Sequence, residues 1–479
     1  MSKQKNSKDE IQSIRGMHDV LPEMLPYYDK AVREARRVAE YYGFQTIRTP
    51  HVEPRELFEA TLGETSEIVE KQMYAFRTRG GDAVVLRPEG TAPIMRAYFQ
   101  HGMDKNLAKP QKFFYSGSFF RHESPQAGRT REFIQAGVEI IGDSDPVNDA
   151  LVIRILVSSL EAMHIRNVIV HINSIGEKES RVAFMKEFNN YLKRRQNALC
   201  KDCKRRVKDN PMRILDCKEQ ECVQLRTEAP HIVDYLSERA KKHFQEVLEF
   251  LDEMKIPYRL DPYLVRGLDY YTDTVFEIFV EGVAAPEATP VPEEKEITTE
   301  EVIQAGVITP IEVLEADKPE RGPAPIAPEA PSSPIAIAAG GRYDMLAHAL
   351  YGKVTPSVGG ALGIDRIVGE LIRRGLKVRP EVTPKVFLIQ LGPLAKKRVL
   401  NIAEDLRKSG IPFSHMLTKD DLRQQLKMAD KLGTPLALII GQKEAVEERA
   451  ILRSMNTGSQ ETVPFAKIVS TIKMRLKGL

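Results

Sequence analysis

One stretch of this chain limits how it can fold more than any other. Residues 283–335 carry ten of its 30 prolines, at positions 286, 290, 292, 310, 319, 323, 325, 328, 331 and 334, among many glutamates and alanines. Proline fixes φ and offers no backbone N–H, so this stretch can fill neither a strand nor a helix interior and is expected to be mostly flexible. Strand-like sequence flanks it: "YRLDPYLVRGLDYYTDTVFEIFVEG" at 258–282 and "IAIAAGGRYDML" at 335–346. The two flanks must therefore meet as neighbouring strands, with the stretch projecting from their sheet as a loop. Loop closure costs free energy only as the logarithm of length, so a short turn in its place is expected to leave activity intact.

The same stretch disguises the charge of the rest. The 479 residues hold 70 basic and 67 acidic side chains, a net +3 that by itself argues for no acidic partner. Residues 283–335 hold 11 acidic against 3 basic, so everything else carries +11, and +8 of that lies between Pro384 and Leu479. A basic body of this kind reopens the question of nucleic acid. Hydrophobic residues at 42% and charged residues at 29% exclude a collagen-like or wholly disordered chain. Four cysteines are too few for a disulfide framework. No apolar run reaches the roughly 18 residues of a membrane span. Met1–Glu10 lacks the apolar stretch of a secretory signal. A cytoplasmic location with reduced thiols is expected.

Along the chain, residues 1–10 read as a loose tail. Tyr27, Ala31, Ala35, Val38 and Ala39 fall at helical spacing, and Gly43 stops that helix before a strand, "FQTIRTPHVEP", closed by Pro50 and Pro54. "AVVLRPEGTAPIMRAYF" (83–99) reads as strand, turn and helix. The β-rich runs at 112–123 and 132–142 enclose a polar loop and predict a hairpin with a long tip. An amphipathic helix is expected over 146–164 and a strand over 167–176. Residues 178–245 are helical, charged and poor in strand signals. From Pro384 strand and helix alternate, which predicts a compact α/β domain of about 95 residues.

Chemistry enters through arginine. Arg87, Arg121, Arg129, Arg266 and Arg366 lie in or next to β-rich segments, and Arg121, Arg129 and Arg266 sit beside a glycine or an aromatic. A guanidinium offers a rigid fork to carboxylate or phosphate, and the ordinary alternative for each is a structural ion pair. No Walker or dinucleotide-binding glycine loop follows a strand, so a phosphate site must be built from arginines on a sheet. The segment "FRHESPQAGRTREFIQAGVE" (120–139) resembles motif 2 of the class II aminoacyl-tRNA synthetases, and "ALGIDRI" (361–367) resembles motif 3. The helix and strand ending at Pro50 resemble motif 1. "LRPEGT" (86–91), "LVRGLDYYTDTVFE" (264–277) and "AAGGRYD" (338–344) resemble segments of the histidyl-tRNA synthetase family. The resemblance runs from "IRGMHDVLP" (14–22) to "MADKLG" (428–433), and only 283–335 has no counterpart.

That resemblance implies an α/β (α+β) fold: a class II catalytic domain on a mainly antiparallel sheet flanked by helices (11–177 and 246–380), a helical insertion (178–245) and an α/β anticodon-binding domain (384–479). It implies a homodimer formed through motif 1. It also implies activation of L-histidine by ATP, with Mg2+ on the outer phosphates, and transfer of histidine to the 3′ end of its tRNA. Joining a carboxylate to a phosphate brings two anions together, and a guanidinium stays charged throughout. The matching positions set Arg121 on the α-phosphate and the histidine carboxylate, Arg266 on the α-phosphate and Arg366 at the γ-phosphate. Glu89, Thr91 and Gln135 match positions for the α-ammonium, with Gly90 between the first two. Glu139 and Tyr271 match those for the imidazole, Tyr270 and Tyr343 line the pocket, and Gly340 and Gly341 would admit backbone close to the ligand. On a strand Tyr270 and Tyr271 would face opposite sides, so Tyr271 is the one expected inside. Such a polar pocket rejects apolar analogues, so no editing domain is expected. The loop Gln126–Arg131, with Gln126, Arg129 and Arg131, would meet the tRNA acceptor end, where an extra 5′ guanosine is the expected identity element. No general base for the transfer is evident. An adenylate phosphate oxygen is a candidate, and His122 reads as a supporting residue.

Two other readings stay open. One is a non-catalytic regulatory paralogue that binds histidine; such relatives lose the phosphate arginines or the anticodon domain, and both are present here. The other is a class II synthetase of different specificity, against which "RGLDYY" and "AGGRYD" argue. The cysteines are a separate question. Cys200 and Cys203 form a C-x2-C, and Cys217 and Cys222 a C-x4-C. These spacings suit a tetrahedral structural Zn2+ or free thiols, and the resemblance does not imply zinc.

Overall fold

The computed structural model describes residues 11–281 and 336–477, apart from positions 64, 65, 107, 125–127, 218, 267, 269 and 381. The N-terminal tail and the proline-rich stretch 283–335 lie outside the described residues. The chain divides into two compact units, Met1–Leu376 and Lys377–Leu479.

The strands of the first unit, in chain order, are β1 (Gln45–Thr46), β2 (Val52–Pro54), β3 (Ala75–Arg77), β4 (Ala83–Leu86), β5 (Gln111–Phe120), β6 (Glu132–Ile141), β7 (Val168–Ser174), β8 (Tyr258–Leu260), β9 (Thr272–Val280), β10 (Ala338–Arg342) and β11 (Ser357–Gly363). Eight of them form a sheet in the order β1–β5–β6–β11–β10–β9–β7–β8, and β2–β4–β3 form a small one. Only the edge pairs β1–β5 and β7–β8 are parallel. The long hairpin is present: β5 and β6 pair from Gln111↔Ile141 to Phe120↔Glu132. The flanks of the proline-rich stretch are indeed neighbours, since Ala338 of β10 pairs with Ile278 of β9.

The single strand expected before Pro54 is two short ones in different sheets. β1 pairs with β5 in the large sheet and β2 with β4 in the small one. Pro50 lies between them and has no N–H for a ladder, so the chain changes sheets there.

One face of the large sheet is covered by helices. Leu25–Tyr41 buries Ala31, Ala35, Val38 and Ala39. Glu238–Glu253 buries Phe244, Val247 and Leu251, and Ile364–Arg373 buries Ile364, Ile367, Val368 and Leu371. Val147–Ala162 was expected to be amphipathic, yet it buries ten of its 16 residues. It lies on the sheet with Leu25–Tyr41 and Glu238–Glu253 against it, so little of its surface reaches solvent. These residues share one core with Ala136, Val138 and Ile140 of β6 and Phe276 and Ile278 of β9. Arg342, the arginine of "AAGGRYD", is 1% exposed and ion-paired with Asp149 and Asp344, so it ties β10 to the start of Val147–Ala162.

Residues 178–237 are helical, with Lys178–Arg195, Lys201–Asp209 and Gln220–Arg226 joined by short turns. The second unit has β12 (Val386–Gln390), β13 (Phe413–His415), β14 (Leu436–Ile440), β15 (Arg449–Ser454) and β16 (Gln460–Pro464) in the order β13–β12–β14–β15–β16. β12 and β14 are buried at every position, as parallel strands covered on both faces require. Among the described residues no helix is long and apolar enough to cross a membrane.

Candidate active site

The site follows from the two-residue alternation of the large sheet. On the face away from the core helices, β6 presents Phe133, Gln135, Gly137 and Glu139, set by register against Phe119, Gly117, Tyr115 and Phe113 of β5. The next two strands present only small residues: Gly359, Ala361 and Gly363 on β11, Ala339 and Gly341 on β10. β9 then returns to larger ones, Val275 and Glu277. The middle of the face is thus a trough floored by backbone. Wall residues lean over one end of it. A Cβ at Gly359 would collide with the Glu139 carboxylate, and one at Gly341 would fall 2.9 Å from the Tyr271 ring.

At that end buried polar groups converge on Glu139. The Tyr343 hydroxyl donates to its Oε2, and Thr91 Oγ1 donates to its Oε1 at 2.9 Å. Burial is the main cause that pushes this carboxyl up to about 8; the bonds from Tyr343 and Thr91 pull it back, and Glu89 adds to the rise. Glu89 is held by the start of helix Thr91–Gln100, accepting N–H bonds from Thr91 at 2.6 Å and Ala92 at 2.9 Å. The Tyr270 hydroxyl lies 3.5 Å from its Oε2. Burial raises the Tyr115, Tyr270 and Tyr343 hydroxyls well above the ordinary tyrosine value, so all three stay protonated donors.

Two expectations are corrected here. Tyr270 and Tyr271 do not face opposite ways: both are 6% exposed, with ring centroids 4.8 Å apart, and Tyr270 also meets Tyr343 at 5.8 Å. They precede β9, which begins at Thr272, so strand alternation does not govern them. Gly340 lies on the core face and makes room for the protein itself, whereas Gly341 lies on the trough floor and clears protein groups as well. A Cβ at Gly340 would strike the β11 backbone and Phe276, and one at Gly341 would fall 2.5 Å from the Thr274 carbonyl oxygen.

The other end carries positive charge. Arg121 leaves β5 with its Nε bonded to the Pro88 carbonyl at 2.9 Å and its guanidinium 5.3 Å over Phe133. Arg121 and Arg129 share Glu123, at 3.9 and 3.7 Å. Arg366 donates to the Gly128 carbonyl at 3.1 Å and the Ala336 carbonyl at 2.6 Å. Burial, then the facing guanidiniums of Arg129 and Arg121, pull Arg366 below its ordinary value. Arg266 is ion-paired with Glu277 and lies 6.0 Å over the Tyr271 ring. Four guanidiniums are answered here by two carboxylates, an arrangement that favours an anion.

Comparison with known proteins decides the family. The Histidyl-tRNA synthetase family model matches residues 16–289, and the Anticodon binding domain model matches residues 385–475. The histidine–tRNA ligase of Halothermothrix orenii is 37% identical over 464 residues, covering 97% of this chain and 99% of that protein.

The chain belongs to the histidyl-tRNA synthetase family.

A second member, the histidine–tRNA ligase of Dehalococcoides mccartyi, is 36% identical over 465 residues, 97% of this chain and 100% of its own. The crystal structure of apo Staphylococcus aureus histidyl-tRNA synthetase superposes with a TM-score of 0.73 at 28% identity, covering 97% of this chain and 100% of that one. In this family member the structure gathers Glu89, Thr91, Glu139, Tyr270, Tyr271 and Tyr343 in one nest and Arg121, Arg129, Arg266 and Arg366 in one cluster. Gln135 lies on the same face of β6 as Glu139, opposite Gly117 and Gly363. Gly90 and Gly137 serve Tyr115: a Cβ at either would fall 2.5 Å from its ring. Arg131 is positioned by backbone, its Nε bonded to the Glu123 carbonyl at 3.2 Å and its N–H to the Gly16 carbonyl at 2.7 Å. Arg87 is likewise structural, donating to the Ser118 and Thr49 carbonyls at 3.0 Å. The His122 N–H donates to the Gln72 carbonyl at 2.7 Å. Gln126 lies outside the described residues.

Sequence reasoning missed Tyr115 and Glu277. Nothing local marks Tyr115, whose slot is made by glycines on two other segments. Glu277 had a signal, a lone charge inside the apolar run "VFEIFV".

Proposed function

We infer that the protein is a histidine–tRNA ligase. It joins L-histidine to ATP as histidyl-adenylate, releases pyrophosphate, and transfers histidine to the 3′ end of its tRNA. One observation carries the chemistry: a single sheet face joins a nest of buried carboxylates and tyrosines to a cluster of four arginines, with a backbone-floored trough between.

On this reading Glu89, Thr91 and Gln135, with Gly90, take the α-ammonium, and Glu139 and Tyr271 take the imidazole. Tyr270 and Tyr343 enclose it. The Glu139 carboxyl, raised to about 8, and an imidazole titrate in the same range, so one proton can sit on either partner and both ring nitrogens can be satisfied. Arg121 and Arg266 hold the α-phosphate and the attacking carboxylate, where charge develops, and Arg366 holds the γ-phosphate end. On the same reading the motif 2 loop, with Gln126, Arg129 and Arg131, binds the acceptor end of the tRNA.

The carboxylates beside the arginines, Glu123 and Glu277, are already ion-paired. That donor set fits Mg2+ carried by the outer phosphates of ATP rather than by the protein, and the ion would offset phosphate charge there. Zn2+ is assigned to Cys200, Cys203, Cys217 and Cys222. The basic residues 384–479 read the anticodon of the histidine tRNA. The protein acts as a homodimer through Leu25–Tyr41 and the segment after it, in the cytoplasm. The regulatory-paralogue reading is not favoured, because full-length relatives are named as ligases and the anticodon domain is present.

The test is ATP–pyrophosphate exchange with each amino acid, followed by charging of histidine tRNA. Exchange with L-histidine alone is expected. Exchange with no amino acid would sink the ligase reading, and exchange with a different one would change the specificity.

A further inference from the structure

The four thiols of the insertion take no part in the chemistry above. Cys200 begins helix Lys201–Asp209, and its Sγ accepts the Cys203 N–H at 3.4 Å. Cys222 Sγ accepts the Cys200 N–H at 3.4 Å. The sulfurs of Cys200 and Cys217 are 3.9 Å apart, and all four lie within 4.8 Å of one another. They are free thiols, converging on one point rather than in two bonded pairs. Zinc–sulfur bonds of about 2.3 Å in a tetrahedron put the sulfurs roughly 3.8 Å apart, so a small contraction of this cage fits the ion. Four thiolates fill a tetrahedral shell and leave no open coordination position, and three of the four are buried with Cys200 half-buried.

The local fold asks for such an ion. Gln220–Arg226 buries a single residue, Cys222. Among its described side chains, Lys201–Asp209 buries only Cys203. Helices of nine and seven residues are too short to stand alone, since isolated helices below roughly 12 residues are marginal in water. Each has one fully buried residue, with only half-buried Val207 on the first and Leu225 on the second packed on the core beside it, so apolar burial holds them weakly.

The segment also reaches toward the active site. Arg206 and Arg213 face Glu67 at 4.0 and 3.2 Å. Glu67 leads into the π-helical turn Ile68–Gln72, whose last carbonyl accepts the His122 N–H next to Arg121.

We propose that one Zn2+ on Cys200, Cys203, Cys217 and Cys222 fixes residues 199–226, and that this fixed segment, through Glu67, anchors the turn that supports Arg121. The anchoring role rests on the reading of the thiols as zinc ligands, and the two fail separately. The full chain is purified without added metal, dialysed against EDTA, and titrated with a mercurial in the presence of a zinc indicator. About one zinc per chain, released as four thiols react, is expected. Four thiols reacting with no zinc released overturns the site. Cys217→Ser is expected to lose the metal, to be cut first by protease within 199–226, and to lower kcat in pyrophosphate exchange a few-fold with little change in the KM for ATP. If that variant does not fold, mercurial-stripped wild type gives the same measurements. A zinc-bound wild type whose metal-free form resists protease as well as the holoprotein overturns the structural role. Glu67→Gln, which leaves the thiols intact, is expected to keep zinc and reproduce the fall in kcat; an unchanged kcat overturns the link to Arg121.

Discussion

Replacing Glu139 with glutamine should stabilise this protein while impairing it. The carboxyl is buried and titrates at about 8, against 4.5 for an exposed glutamate. Because the folded-state value is the higher one, the fold binds this proton more tightly than the unfolded chain. The resulting stabilisation is full below pH 4.5 and is lost as the pH rises to 8. At neutral pH about 2.5 units of that interval have been crossed, which at 1.36 kcal/mol per unit is about 3 kcal/mol. Glutamine stays neutral, keeps the size, and still offers an oxygen to the Tyr343 hydroxyl. With an unfolding entropy of about 2.1 cal/mol/K per residue, some 370 residues give about 0.8 kcal/mol/K, so 3 kcal/mol is roughly 4 °C. Thermal unfolding of both proteins from about pH 5 to pH 8 should show the variant ahead by roughly 1 °C at the acid end and roughly 4 °C at neutrality. Loss of a charge-assisted hydrogen bond of about 1.5–3 kcal/mol should raise the KM for histidine roughly 10- to 150-fold. A stability gap that does not change with pH would refute the reasoning, since it would mean that Glu139 is ionised in the folded protein.

Arg121→Ala and Arg366→Ala should each lower kcat in pyrophosphate exchange by about 10²- to 10³-fold with the melting temperature nearly unchanged; a loss below about tenfold would remove that arginine from the chemistry. Arg342→Ala should act in the opposite way, because it leaves Asp149 buried with only His243, at 3.5 Å, to answer it: a loss of about 3 kcal/mol, seen as a fall in melting temperature with KM for both small substrates preserved in the surviving fold. A short turn in place of residues 283–335 should leave histidine charging within about twofold, because the flanking strands β9 and β10 are already neighbours; a large loss would assign that stretch a substrate or partner role. Stopping the chain at Leu376, the edge of the first unit, should keep histidine-dependent exchange and abolish most tRNA charging, measured side by side.

Much of the fold was legible because local pattern encodes it. The β5–β6 hairpin showed in two β-rich runs around a polar loop, and the second unit in its strand–helix alternation. The nature of the site was legible in residue type: arginines for phosphate, carboxylates and tyrosines for a polar amino acid. The failures have physical causes too. Strand alternation predicts opposite facing for Tyr270 and Tyr271, but β9 begins only at Thr272. Val147–Ala162 was read as amphipathic because its buried Asn148, Asp149 and Ser159 look polar; they are buried with partners, as when Asp149 meets Arg342 and Ser159 Oγ bonds the Ile155 carbonyl at 2.7 Å.

The sequence by itself determined which residue types were available, where the chain had to turn, and that residues 283–335 must leave the sheet. Only the tertiary structure decided which groups meet. Glu139 lies over Gly359, Tyr115 sits in a slot cut by Gly90 and Gly137, and Arg266 rests on Glu277. The trough exists because β10 and β11 bring five glycines and alanines side by side. Four thiols, two from short helices and two from the turns before them, converge in the same way, on one point. Such meetings depend on strand register and on how layers stack, and those are settled by the burial of the whole core rather than by any short run of residues.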